Sequence, residues 1–126
     1  MNVGDDPINP AYYAGTACAE IIEHMPTNVG FAAKYAWRLG EKDSEAQEAG
    51  KAIWYLERQL NLQHSRGFID TRKLYRTHCS ERIQHAFNIG KLDLNRSKII
   101  ENCVEYTLNG DNQELYRAIE LYRFYL

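Results

Sequence analysis

The sequence predicts an all-α fold, and three features of its composition carry that prediction. Valine and threonine together occur eight times in 126 residues, although sheets draw heavily on β-branched side chains. All three prolines, Pro7, Pro10 and Pro26, fall in the opening 26 residues, so the rest of the chain meets no helix breaker of that kind. Most of what remains is Leu, Ala, Glu, Arg, Lys and Gln, good helix formers, with nine tyrosines and two tryptophans for bulk. At 14.6 kDa the chain is one domain's worth, with residues 1–62 and 68–126 reading as two helical halves.

Each element has a local reason. Residues 1–15 are rich in Pro, Asn, Asp and Gly and predict an extended arm, since a residue before proline avoids the helical region. Thr16 can cap a short helix over 17–24, which Pro26 closes. A second helix is expected over 28–39, with Phe31, Tyr35 and Leu39 as its apolar stripe and Gly40 as its C-cap. Ser44-x-x-Gln47 is a capping box for a third helix over 45–62, where Ala49, Ala52, Ile53, Leu56 and Leu60 face inward. The polar run 63–67 reads as a hinge.

The second half repeats this grammar. Asp70 caps a helix through Phe87 with Leu74, Tyr75, Cys79, Ile83 and Phe87 as its apolar positions. A loop around Gly90-Lys91-Leu92-Asp93 leads to Asn95 or Ser97 as cap for a helix over 99–108. Asn109-Gly110 breaks that helix, and Asp111-x-x-Glu114 starts the last one, with Leu115, Ala118, Ile119, Tyr122 and Leu126 inward. Two helical hairpins are therefore expected. Cys18-x-Glu20-x-Ile22-x-His24 recurs as Cys79-x-Glu81-x-Ile83-x-His85, and Lys51-Ala52-Ile53 parallels Arg117-Ala118-Ile119. A diverged internal duplication and the shared residue preferences of unrelated helices both account for these pairs.

Composition excludes several classes. With 44% hydrophobic and 25% charged residues the chain is neither collagen-like nor low-complexity. A net charge of −2 offers no basic field for nucleic acid or an anionic membrane. No apolar run is long enough to span a membrane. Residues 1–6 carry two acids and no base, unlike a secretory signal. Cys18, Cys79 and Cys103 are odd in number and lack C-x-x-C spacing, which suits reduced thiols in a cytoplasm. The sequence also lacks a Walker loop, a Gly-x-Gly-x-x-Gly turn, a His-Glu-x-x-His pair and a Gly-x-Ser-x-Gly elbow.

The motif-bearing stretch is 9–60. It holds Asn9-Pro10-Ala11-Tyr12-Tyr13, then Lys34-Tyr35 with Arg38, Gly40 and Lys42, then Lys51-Ala52-Ile53-Trp54-Tyr55-Leu56. In this order and spacing the three pieces resemble a small helical domain family of tailed phages, of unknown function and commonly labelled nucleotide kinase. The resemblance covers about the first 60 residues. It implies phosphoryl transfer to a nucleoside monophosphate, a homo-oligomer, and residence in the host bacterial cytoplasm.

Physical chemistry supplies a candidate site for that function. Lys34 and Arg38 stand one helical turn apart, Lys42 follows the Gly40 cap, and Lys51 and Tyr55 are i, i+4 on the next helix. A hairpin joining these faces would gather Lys34, Arg38, Lys42 and Lys51 for phosphate, with Asn9, Tyr12, Tyr13 and Tyr55 around a base or sugar. Arg38 is the expected bidentate anchor. Arg58, outside the motif, is expected to contribute little. The paired carboxylates Glu20, Glu23, Glu45 and Glu48 give an alternative, a Mg2+ site of the kind all-α nucleotide pyrophosphohydrolases use. No cofactor is demanded outside that alternative. Three readings follow: a nucleotide kinase, a non-catalytic nucleotide binder that sequesters host nucleotide signals or regulates a host protein, and a Mg2+-dependent pyrophosphohydrolase.

Overall fold

The computed structural model describes residues 18–62 and 72–126. Among them are six helices and no strand: α1 (Ala19–Ile22), α2 (Thr27–Trp37), α3 (Glu45–Asn61), α4 (Arg72–Asn88), α5 (Leu94–Asn109) and α6 (Asn112–Arg123). The protein is all-α. The arm, the Thr16 and Asp70 caps, the hinge at 63–67 and residues Asn9, Tyr12 and Tyr13 lie outside the described residues. No helix among the described residues is long and apolar enough to cross a membrane.

Helices adjacent in sequence pack in pairs, α2 on α3 and α5 on α6, and the pairs meet through α2 on α5 and α3 on α6. Helix α4 lies on α5, and α1 on α2.

Helix α2 occupies the middle of this arrangement, and its composition explains why. Its buried face is Val29, Gly30, Ala32, Ala33, Ala36 and Trp37. Small side chains let neighbouring helices approach closely, and Trp37 fills the space left at the C-terminal end. The expected stripe of Phe31, Tyr35 and Leu39 is corrected here: Leu39 is buried, Tyr35 is half-buried and Phe31 is exposed. Apolar period alone misphased the helix because alanine, not phenylalanine, marks its contact face. Two further inward assignments fail the same way. Ala86 is buried where Phe87 is exposed, and Leu126 lies beyond α6 with 65% of its surface open.

Long-range polar bonds fasten α2 to the second half. Its last carbonyls have no partner within the helix. The Arg96 guanidinium from α5 donates to Ala36 O at 2.8 Å and Trp37 O at 2.7 Å. The buried Tyr122 hydroxyl of α6 donates to Ala32 O. In the α2–α3–α5 contact, Gln59 donates to the Tyr106 hydroxyl at 3.1 Å and accepts from Asn28 at 3.4 Å.

The caps are local. Ser44 Oγ accepts from Gln47 N at 3.1 Å, as the capping box requires. Asp93 accepts from Arg96 N at 2.8 Å, so α5 is capped at Asp93, ahead of the Asn95 or Ser97 expected from sequence; Ser97 is buried inside the helix. Asp111 caps α6 through Gln113 N at 2.9 Å, while Glu114 pairs with Arg117. Gly110 ends α5 with a φ of 68°.

Gly40 and Gly50 give opposite outcomes for one substitution. Gly40 has a φ of +81°, and an added Cβ would stand 3.0 Å from the Glu45 Cγ. Gly50 is exposed within α3, with nothing inside 4 Å of an added Cβ. Gly40→Ala should lower stability by about 1–2 kcal/mol, because alanine is strained at positive φ. Gly50→Ala should raise it by about 0.5–1 kcal/mol. Urea denaturation of the two variants checks both signs.

Candidate functional site

The α2–α3 pair carries the motif residues, and their side chains separate into three environments. Arg38 is the first. It ends α2 as C-cap and turns inward, with its guanidinium 3.6 Å from the Glu48 carboxylate; the two side chains are 10% and 0% exposed. The other carboxylate oxygen of Glu48 accepts from the Gly40 backbone N–H at 2.9 Å. The guanidinium also lies 5.2 Å from the centre of the Tyr35 ring, within cation–π range. Arg38 is thus part of a buried clasp that closes the α2–α3 loop. The structure places Arg38, the expected phosphate anchor, where a guanidinium this enclosed and this close to a buried carboxylate neutralises it first.

The second environment is an aromatic ledge along the outer edge of the pair. Phe31 and Tyr55 meet at 4.9 Å between ring centres, and Tyr35 stacks on Tyr55 at 6.3 Å with 23° between planes. Trp54 sets its edge against Tyr55 at 5.1 Å and keeps 55% of its surface exposed. The Arg58 guanidinium sits 5.6 Å from the Trp54 ring centre. The ledge is therefore bounded by a guanidinium at each end, Arg38 and Arg58. Arg58, set aside in the sequence reading, was discoverable from its i, i+4 spacing to Trp54.

The third environment surrounds the Cys18 thiol. Burial pushes that thiol up from 9.0 to about 12, while the positive charges of Lys34, Lys91 and Arg38 pull in the opposite direction. Three cations thus lie within electrostatic reach of one buried sulfur. Lys91, from the α4–α5 loop, donates to Glu41 at 2.8 Å, and its side chain is only 6% exposed. Burial lowers its pKa and the Glu41 hydrogen bond works against that shift. No sequence motif announces Lys91, because it reaches the first half only through the packing of the two halves.

The remaining expected residues are dispersed. Lys42 is exposed on the loop, and Lys51 lies exposed on α3 with Asp43 at 3.9 Å. Glu20 pairs with Arg82 at 3.2 Å, Glu23 lies near His24 at 3.6 Å, and Glu45 is exposed. With Glu48 held by Arg38, Glu20, Glu23 and Glu48 each face a different neighbour. Among the described residues no group of three or more His, Cys, Asp and Glu side chains is placed to hold a metal ion. Compared with known families, curated proteins and solved structures, the chain matches none.

Two outcomes follow from this geometry. Arg38→Ala leaves Glu48 charged, buried and unpaired, and should destabilise the fold by about 3–5 kcal/mol. Arg38→Leu combined with Glu48→Gln removes both charges yet keeps an acceptor for Gly40 N–H, and should recover most of that loss in chemical denaturation.

The thiols set an alkaline limit. Cys18 and Cys103 are both raised from 9.0 to about 12, chiefly by burial. A raised folded-state value means that stability is intact below about pH 9 and is lost as pH climbs from there towards 12. The denaturation midpoint should therefore fall above pH 9, and less steeply in Cys103→Ala.

Proposed function

We propose that this protein binds a nucleotide along the α2–α3 edge, with the base stacked on the aromatic ledge and phosphate groups held by Lys34, Lys51 and Arg58. The observation that carries the reading is the exposed Trp54–Tyr55 corner with Phe31 and Tyr35 behind it and a guanidinium at either end. Bases stack on such surfaces with roughly 1–3 kcal/mol each. Lys34 of α2 and Lys51 of α3 supply point charges for phosphate, and Arg58 can add a bidentate contact. The motif resemblance of residues 9–60 to a phage family labelled nucleotide kinase supports the same class of ligand. The carboxylates nearest the buried cations, Glu41 and Glu48, are engaged by Lys91 and by Arg38 with Gly40 N–H. The reading is accordingly one of binding, with phosphoryl transfer as the resemblance implies a further step.

The two tryptophans make this testable. Trp37 is fully buried, whereas Trp54 is exposed on the ledge. A panel of nucleotides, with and without Mg2+, should quench the fluorescence of the protein. Trp37→Phe should keep the ligand-dependent signal and Trp54→Phe should lose it. Lys51→Ala should weaken binding by about tenfold, the loss of one charge-assisted contact, while leaving the denaturation midpoint near that of the parent. Chromatography of the incubated nucleotides reads turnover: new diphosphate reports a kinase, monophosphate with pyrophosphate a hydrolase, and unchanged nucleotide a binder. Absence of quenching by every nucleotide at millimolar concentration would overturn the proposal.

A further inference from the structure

Four buried side-chain atoms have no hydrogen-bond partner among the described residues: Trp37 Nε1, Arg38 Nε, Glu48 Oε2 and Ser97 Oγ. Their residues are enclosed, with Trp37 and Glu48 at 0%, Ser97 at 5% and Arg38 at 9% exposure. Folded chains rarely leave such groups unmatched, because a buried polar atom without a partner gives up its hydration and gains nothing. These four belong to one junction of three helices. Trp37 and Arg38 end α2, Glu48 lies in the first turn of α3, and Ser97 lies in the first turn of α5. The end of α2 meets α3 through Arg38 and Glu48, and it meets α5 through the Arg96 guanidinium on Trp37 O at 2.7 Å.

The clasp inside this junction is closed loosely. Arg38 Nη2 stands 3.6 Å from Glu48 Oε2, beyond hydrogen-bonding distance. The exposed pair Arg76–Glu105 shows a closed fork by contrast, with contacts of 3.0 and 3.2 Å. Glu48 Oε1 is already committed to the Gly40 N–H, so Oε2 has to be matched on its own.

The hydrogen-bonding roles of the four atoms identify what satisfies them. Trp37 Nε1 and Arg38 Nε only donate, an ionised Glu48 only accepts, and Ser97 does either. A cation is repelled by Arg38 and an anion by Glu48, so the ligand is neutral. It has to accept from two N–H groups and donate to at least one oxygen. Water does both, and buried water typically makes about three such bonds. We propose that the junction of α2, α3 and α5 is an internal hydration site, where water joins the N–H groups of Trp37 and Arg38 to the Glu48 carboxylate and the Ser97 hydroxyl. Water in that position completes the hydrogen bonds that the ion pair lacks and reduces the cost of burying its charges. None of the four atoms serves the nucleotide on the α2–α3 ledge, so the hydration site stands or falls independently of nucleotide binding.

Nuclear Overhauser spectroscopy of the isotope-labelled full chain, in mildly acidic buffer where Arg38 Nε–H exchanges slowly, reads this site directly. The Trp37 indole N–H and the Arg38 Nε–H should each give a cross-peak to water, opposite in sign to the same peak in the rotating frame. That sign difference marks water that tumbles with the protein. The exposed Trp54 indole serves as the surface control and should lack it. Trp37→Phe assigns the buried indole by loss of its resonance. Ser97→Ala should keep both cross-peaks, because three groups remain to hold the water. Loss of either peak in that variant would trace the signal to the Ser97 hydroxyl proton and overturn the proposal. A folded parent protein in which either N–H lacks the cross-peak, or shows it with the sign seen at Trp54, would overturn it as well.

Discussion

The C-terminal turn of α2 is the point on which the rest of the molecule depends. A helix must find partners for its last carbonyls, and here two of them are taken by a cation from the other half of the chain, Arg96. The guanidinium meets the negative end of the α2 dipole, so charge and hydrogen bonding act together. Tyr122 adds a bond to Ala32 one turn earlier. These bonds fix the axial position of α2 against α5 and α6, which its alanine face alone, being nearly featureless, would leave free to slide. The contacts between the halves follow from that registration: Lys91 reaches Glu41 and comes within electrostatic reach of Cys18 only once α2 is set against the second half.

The same turn decides which cations remain available to a ligand. Arg38 continues the chain beyond α2 and folds under its own loop to neutralise Glu48, whose other oxygen holds the Gly40 amide. Burying a carboxylate without such a partner costs several kcal/mol, so the fold claims Arg38 before a ligand can. Lys34, Lys51 and Arg58 are left on or near the surface. The motif residues thus divide by burial: those that close the loop, and those that face solvent beside the aromatic rings.

Part of this was legible in the sequence. The all-α class, the Ser44 capping box, the break at Gly110 and the inward set Ala49, Ala52 and Leu56 of α3 follow from rules that act within one or two turns, and the structure has them. The phase of α2 was not legible. Phe31 and Tyr35 outrank alanine in hydrophobicity, yet close helix packing selects the small residues, and the rings were displaced to the edge where they meet Tyr55. Helix α4 failed at Phe87 for a similar reason, the buried positions among its described residues being Cys79, Ile83 and Ala86. Of the candidate site, the residue types were readable but their assignment was not. Whether Arg38 opens to solvent or turns onto Glu48 depends on a ten-residue return of the chain, and Lys91 enters from 50 residues away. Spacing rules carry no information over such separations.

The α2–α3 and α5–α6 seams differ in surface chemistry, and a few side chains account for the contrast. The sequence pairing that sets Lys51-Ala52-Ile53 beside Arg117-Ala118-Ile119 also sets Trp54-Tyr55 beside Glu120-Leu121. In both places the alanine is buried against the core, and a small side chain there suits close packing. Where Trp54 and Tyr55 stand, Phe31 and Tyr35 stack on them and the seam is filled with rings. Where Glu120 and Leu121 stand, the facing residues of α5 are Lys98, Glu101 and Asn102, and the seam stays open as a groove. Two aromatic residues on α3 thus give one seam a stacking surface, while a carboxylate and a leucine on α6 give the other a charged cleft. Tyr35 and Leu121 pack against the core from the two seams, whereas Trp54 and Glu120 are exposed, so the surface chemistry of each seam can vary at its exposed positions at little cost to the fold.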